Sequence, residues 1–508
     1  MKPDLRKLER IGLPVLLGAI LVGYGVLMFL SEGTHGGADD IGHYRRARYA
    51  FQFPSFFLYH WGKPLFTALS SPFAQFGFNG IRMFNVLCGT ATVYVTYRTA
   101  KRLQIRLPLA ALFLVLSSPL YVVLMLSGMT EILAGLVLAL SIFLFFRSRY
   151  IGSAVLLSFL PFVRNEAVVI LPLFLAGFAL VRQWKAMPFL LAGFVFYSVA
   201  GSFHYDDLLW VIHEMPYKGN AAGIYGSGEL LHYAREARYI FGMPLAVLIF
   251  AGFALWALEP FLHRSDKFQP RKEWLLRMLV AFLPFAVYFA AHSYVWWKGM
   301  GNSVGMSRVM VAVVPSAALL GAYGWDRLLA LLPGRIPGRE FLKHGLTVLL
   351  GAFLLTVPFR NYRIPVPLVG EQVIVKRASD WYADSPYRDV RIYYYNPFFT
   401  HFLNINPYDE ERSHQFVHDR EHPERNIEPG TLLFWDAHFS PNEGRLPLER
   451  LMDNPWFRLI HLERDKKPFT VLGGYEYEIY VFERLAEAEA PDNRALYGQY
   501  LAEILEAD

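Results

Sequence analysis

Two adjacent carboxylates, Asp39 and Asp40, follow the turn Gly33-Thr34-His35-Gly36-Gly37 and precede His43, Tyr44 and the basic trio Arg45, Arg46 and Arg48. Further along stands His60-Trp61-Gly62-Lys63-Pro64-Leu65. Other charged residues punctuate apolar runs: Glu131 after Thr130, the triplet Arg164-Asn165-Glu166, and Arg308 closing Gly305-Met306-Ser307-Arg308. A carboxylate can accept a proton from a hydroxyl, and cations can steady negative charge that grows on a leaving oxygen. Acids and a lysine where an apolar span ends suggest chemistry on a charged group carried by a lipid.

Each feature also has a plainer reading. Asp39-Asp40 could lie in a solvated loop, or cap an amphipathic, surface-lying helix over residues 41–59. Arg164 and Glu166 could pair with one another. A charge at membrane depth costs about 2.5–3.5 kcal/mol on insertion scales, which favours a paired or functional role. Lys63 could snorkel to an interface, although it falls on the side where lysine is disfavoured. His43, His60, His204, His213 and His232 could gather on a metal, but no ligand spacing such as HExxH is present. Trp61, Trp296 and Trp297 read as aromatics of a membrane–water belt.

These residues need elements to position them, and composition indicates which. The chain has 508 residues, 54% hydrophobic and 18% charged. Soluble proteins carry about 25% charged residues, so a membrane protein with a sizeable water-facing part is expected. The net charge of +6 sits in clusters between apolar runs, as topology determinants do, and does not indicate nucleic acid. The single cysteine, Cys88, excludes an intrachain disulfide. Lys2, Arg6, Lys7 and Arg10 precede the apolar run 11–30, which can cross about 30 Å of hydrocarbon and is too long for a signal peptide. Further apolar runs at 81–97, 107–126, 132–146, 151–163, 167–181, 187–203, 239–258, 275–297, 309–323 and 346–359 bring the expected spans to about eleven. Lysine and arginine concentrate in alternate connections, including Arg98, Lys101, Arg102 and Arg106, which assigns those connections and the N-terminus to the cytoplasm. The acid pair and the C-terminal tail then lie outside.

After residue 360 the chain turns polar, with β-rich runs at 390–395, 431–435, 457–462 and 477–482 and helix-like pieces at 371–383 and 446–452. The expectation is a polytopic α-helical membrane domain over 1–360 and a small extracytoplasmic α/β domain over 361–508. Neither a glycine-rich nucleotide fingerprint nor an internal repeat is visible.

The order of these features resembles the GT-C superfamily of membrane glycosyltransferases, which use polyprenyl-phosphate-linked sugars. Within it the chain is similar to the bacterial branch of protein O-mannosyltransferases, lipopolysaccharide sugar transferases and the aminoarabinose transferase of lipid A. The family's first-loop acidic pair falls on Asp39-Asp40, and its common tyrosine three residues later falls on His43, with Tyr44 next to it. Its Lys-Pro-Pro-Leu motif falls on Lys63-Pro64-Leu65, one proline short. Its second-loop glutamate matches Glu131, and its Arg-Pro-Glu motif matches Arg164-Asn165-Glu166, with asparagine in place of proline. The resemblance covers roughly residues 10–360. It implies an inner-membrane enzyme with a polyprenyl-phosphate sugar donor, an extracytoplasmic acceptor and Asp39 as base, Asp40 orienting the acceptor or sharing that role. Lys63, Arg164 and Arg308 are the candidates for the donor phosphate. Glu131, Glu166, His43, Tyr44 and His60 are the candidates for the remaining substrate contacts. No cofactor is indicated, since side-chain cations can serve a monophosphate, although some relatives use a divalent metal. Two other classes remain: a transporter or lipid flippase, which would usually show two related halves, and a scaffold whose tail binds a partner.

Overall fold

The computed structural model describes residues 5–216, 226–262, 268–301, 303–333 and 338–506; Lys2 lies outside them. The chain forms two compact units, Met1–Gly36 with Arg46–Pro367, and Gly37–Arg45 with Leu368–Asp508.

The first unit is helical. Among the described residues, five helices are long and apolar enough to cross a membrane: Ile11–Phe29, Trp184–Tyr205, Lys272–Trp297, Ser307–Ala330 and Arg339–Asn361. Four shorter apolar helices accompany them: Glu131–Phe146, Tyr150–Phe162, Asn165–Leu180 and Met243–Glu259. Burial identifies the central one, since 94% of the apolar window in Ser307–Ala330 is covered by neighbours, against 22% in Ile11–Phe29. The helix Met243–Leu262 packs along Val314–Ala330. A Cβ at Gly324 would meet the Leu248 carbonyl at 2.8 Å and the Gly252 backbone at 2.9 Å, so only glycine permits that approach.

In chain order the first helices are α1 (Leu5–Phe29), α2 (Ala38–Tyr49), α3 (Pro64–Ala74), α4 (Phe78–Arg102), α5 (Leu109–Leu116), α6 (Pro119–Met125) and α7 (Glu131–Phe146). Two expectations change here. The apolar run 107–126 is broken between α5 and α6, because Pro119 starts a new helix and the Ser118 hydroxyl accepts the Tyr121 N–H at 3.3 Å. The helix expected over 41–59 stops at Tyr49, before the Pro54–Phe57 turn. Nor does α2 lie on the surface: Ile41, His43, Arg45 and Ala47 are all buried. Its basic residues have specific partners, so they do not need water.

The loop after α1 is pinned at several points. The buried Arg82 of α4 donates to the Ser31 carbonyl at 2.8 Å and also to the Gly33 carbonyl. The Ser31 hydroxyl accepts the Val366 N–H at 2.9 Å, and the Gly33 N–H returns to the Val366 carbonyl at 3.0 Å.

The second unit contains a five-stranded mixed sheet in the order β2-β1-β3-β5-β4. The strands are β1 (Ile392–Tyr394), β2 (Ser413–Gln415), β3 (Leu432–Asp436), β4 (Phe457–Arg464) and β5 (Glu478–Arg484). Strand β1 runs parallel to β2 and β3, whereas β5 is antiparallel to β3 and β4. Every residue of β3 is buried, which is why Leu432–Trp435 reads as a continuous apolar run before Asp436. The helix Glu371–Asp384 agrees with the expected one. Strand β2, a three-residue polar edge, and the C-terminal helix Asn493–Glu506 carry too little pattern to be visible in sequence.

Candidate active site

The first unit gathers a group of buried and half-buried charges that are far apart in sequence. Glu131 opens α7 and is 0% exposed. Arg164 stands in extended backbone just before the turn Asn165–Ile170, whose first residues place Glu166 beside it. The Arg164 guanidinium donates from Nη1 to Glu131 Oε1 at 2.9 Å, and from Nε and Nη2 to Glu166 Oε1 at 2.7 and 2.5 Å. Tyr288 and His292 lie one turn apart on Leu283–Trp297. The Tyr288 hydroxyl donates to Glu166 Oε1 at 3.0 Å, and His292 Nε2 lies 3.8 Å from the same oxygen. Arg308 Nε is 3.8 Å from Glu131 Oε1, and its Nη1 donates to the Gly36 carbonyl at 3.0 Å. Glu131 Oε2 is buried, and no donor among the described residues reaches it. A buried acceptor of this kind is costly unless something satisfies it.

Lys63 is also in this unit and is 3% exposed. It precedes α3 with φ 62° and ψ 88°, in left-handed backbone. Its Nζ donates to Asn165 Oδ1 at 3.2 Å, and its charge acts on Glu166. Asn165 Nδ2 lies 3.0 Å from His60 Nδ1, and His60 Nε2 lies 3.0 Å from the Val211 carbonyl.

The acid pair belongs to the second unit. Asp39 and Asp40 occupy the first turn of α2, where the helix dipole favours negative charge. Asp40 is fully buried. Helical spacing puts His43 and Tyr44 on its face, and Tyr44 meets the His401 ring edge-on at 6.1 Å. On the next residue, Arg45 Nη2 donates to the Tyr394 hydroxyl at 3.1 Å and to Gln415 Oε1 at 3.2 Å. Glu443 is an exposed residue with a crowded carboxyl. Burial and then the Asp39 charge hold that carboxyl above the usual carboxylate range.

Of the residues singled out in sequence, the structure thus unites His60, Lys63, Glu131, Arg164, Glu166 and Arg308 within one unit. It places Asp39, Asp40, His43 and Tyr44 in the other. The histidines do not converge. His213 pairs with Asp207 at 2.6 Å, His232 contacts the Gly305 carbonyl at 2.7 Å and His204 packs on Tyr205. Among the described residues no group of three His, Cys, Asp or Glu side chains is arranged for a metal ion. Sequence reasoning passed over Tyr288 and His292. The signal was there, since a histidine in the apolar run 275–297 needs a polar partner. It also took Asn165 only as a departure from proline, whereas the side chain bonds two of the candidates.

No family model and no curated protein matches this sequence. Solved structures do. ArnT from Cupriavidus metallidurans bound to undecaprenyl phosphate superposes with a TM-score of 0.56 at 12% identity, covering 94% of this chain and 99% of that one. The apo state of the same protein gives 0.58 at 13% identity over the same shares. The Archaeoglobus fulgidus oligosaccharyltransferase tethered with an acceptor peptide gives 0.53 at 12% identity, over 87% and 73%. This chain shares their fold. The likeness extends over most of the chain and so takes in more than the first 360 residues.

Proposed function

We propose that this protein is an integral-membrane glycosyltransferase that moves a sugar from a polyprenyl-phosphate donor to a hydroxyl outside the cytoplasm. The observation that carries the reading is the Glu131–Arg164–Glu166 cluster with Arg308 and Lys63, within a fold shared with a protein crystallised with undecaprenyl phosphate. Half-buried arginines and a buried lysine suit a phosphate. Carboxylate oxygens such as the unsatisfied Oε2 of Glu131 suit sugar hydroxyls, which donate.

In the proposed reaction the acceptor oxygen attacks the anomeric carbon and inverts it. The bond between that carbon and the phosphate oxygen breaks, and its electron pair leaves with the polyprenyl phosphate. The acceptor proton passes to Asp39, with Asp40 orienting the acceptor or sharing the role. Lys63, Arg164 and Arg308 steady the phosphate as its charge grows, without a step that requires a metal. Glu166, His43 and Tyr44 complete the substrate contacts. The N-terminus faces the cytoplasm of a bacterial inner membrane, and residues 361–508 lie outside. Mannose is the first donor to try.

The test is transfer of radiolabelled sugar from polyprenyl-phosphate mannose, glucose and aminoarabinose into membrane acceptors by wild type, Asp39→Asn and Asp40→Asn. Loss of the base should lower transfer by about 10²–10⁴-fold at unchanged protein level. Transfer unaffected by both changes would remove the acids from the mechanism. No transfer from any donor would remove the reaction.

A further inference from the structure

Lys63 is the end of a chain of hydrogen bonds whose direction can be read atom by atom. The Val211 carbonyl can only accept, so His60 Nε2 carries the proton that binds it at 3.0 Å. His60 Nδ1 is then an acceptor and takes the Asn165 amide Nδ2–H at 3.0 Å. That choice turns Asn165 Oδ1 toward Lys63, whose ammonium donates to it at 3.2 Å. The far end is anchored. Val211 and the fully buried Trp210 pack with Phe162 and Tyr197, and Trp210 Nε1 donates to the Tyr197 carbonyl at 2.7 Å. The near end is constrained as well. Lys63 holds a positive φ that side chains with a Cβ rarely adopt, and its backbone N–H and carbonyl bind His60 and Thr67. The lysine is thus buried, set in strained backbone and held at Nζ by an amide of fixed donor–acceptor sense, with the Glu166 charge acting on it as well.

We propose that His60 and Asn165 are positioning residues that aim the Lys63 ammonium at the donor phosphate, with Val211 as the fixed end of the relay. This rests on the reading of Lys63 as a phosphate group's partner and deepens it. Asparagine serves here because one side chain must donate to the imidazole and accept from the ammonium at once. Proline can do neither. The relay also gives His60 a role through Lys63 instead of on the substrate.

The experiment measures binding of undecaprenyl phosphate in nanodiscs to the purified full-length protein, comparing wild type with Asn165→Leu, Lys63→Met and the double variant. Loss of one charged hydrogen bond corresponds to about a ten- to hundredfold weaker affinity. Each single variant should weaken binding within that range, and the double should be no weaker than Lys63→Met alone. His60→Phe keeps an aromatic ring against Trp210 and should behave as Asn165→Leu does, which covers the case in which the asparagine variant fails to fold. Single-variant losses that multiply in the double, or binding unchanged by both Asn165→Leu and His60→Phe, would overturn the relay and leave the donor reading standing. No binding by the wild type would overturn the donor reading and the relay with it.

Discussion

Arg164 ties Glu131 to Glu166 through three N–H donors, reaching Glu131 Oε1 at 2.9 Å and Glu166 Oε1 at 2.5 and 2.7 Å. Glu131 begins one helix and Glu166 lies in the turn before another, so a single guanidinium fixes the separation of two acids from different parts of the chain. Lysine has no planar fork with which to bridge them.

Arg164→Ala should therefore do more than remove a cation. It leaves the buried Glu131 and the half-buried Glu166 without their partner, a change that costs about 3–5 kcal/mol where both groups are fully buried and less here. The expected outcome is a clear fall in melting temperature in detergent together with lost transfer. Arg164→Lys should recover part of the stability and little of the transfer. Equal recovery of both would mean that the charge suffices and the bridge is incidental.

The acid-bearing half of α2 is held by side chains of its own unit. Arg45 binds Tyr394 and Gln415 and lies 5.8 Å from the Tyr408 ring. Removing both acceptors leaves a buried guanidinium short of partners, at about 1–3 kcal/mol each. Tyr394→Phe combined with Gln415→Leu is expected to raise amide exchange across residues 38–45 and to lower the transfer rate with little change in donor KM. Unaltered exchange in that peptide would show that other contacts hold the helix.

The second unit should also respond to pH through Asp436. Burial pushes its carboxyl up to about 7, the Phe439 N–H at 2.8 Å opposes that, and the Glu371 charge adds to it. The neighbouring His438 is buried, which lowers it, yet its 2.8 Å contact with Glu371 leaves it raised overall. A carboxyl raised in the folded state binds its proton more tightly there than when unfolded. Its contribution to stability is complete below the ordinary value of about 3.9 and is lost as pH rises through 7. Asp436→Asn stays neutral throughout and can still accept the His438 and Phe439 N–H groups. The variant should gain on wild type by several degrees of melting temperature between pH 4 and pH 8, about 2–4 °C per kcal/mol for a unit of this size. A difference that stays flat across that interval would place the charged carboxylate in the native state.

Local pattern carried much of this protein's description. Apolar runs long enough for hydrocarbon, with basic clusters between them, indicate helices in a membrane whatever their packing. The helix at 371–383 is visible because its side-chain burial repeats with the helical period, and the strand at 431–435 because burial on both faces makes it a continuous apolar run. The charged positions were visible too, because a charge beside an apolar run is costly enough to need a reason. Tertiary structure decided which of them meet. Nothing local says that Arg164 will find Glu131, or that Asn165 will turn one end to His60 and the other to Lys63. It also decided that α2 would be buried, and that its acids would belong with residues more than three hundred positions away. Sequence spacing specifies the faces of single elements. Pairing between elements depends on where the chain closes, and that is set by the packing of the whole molecule.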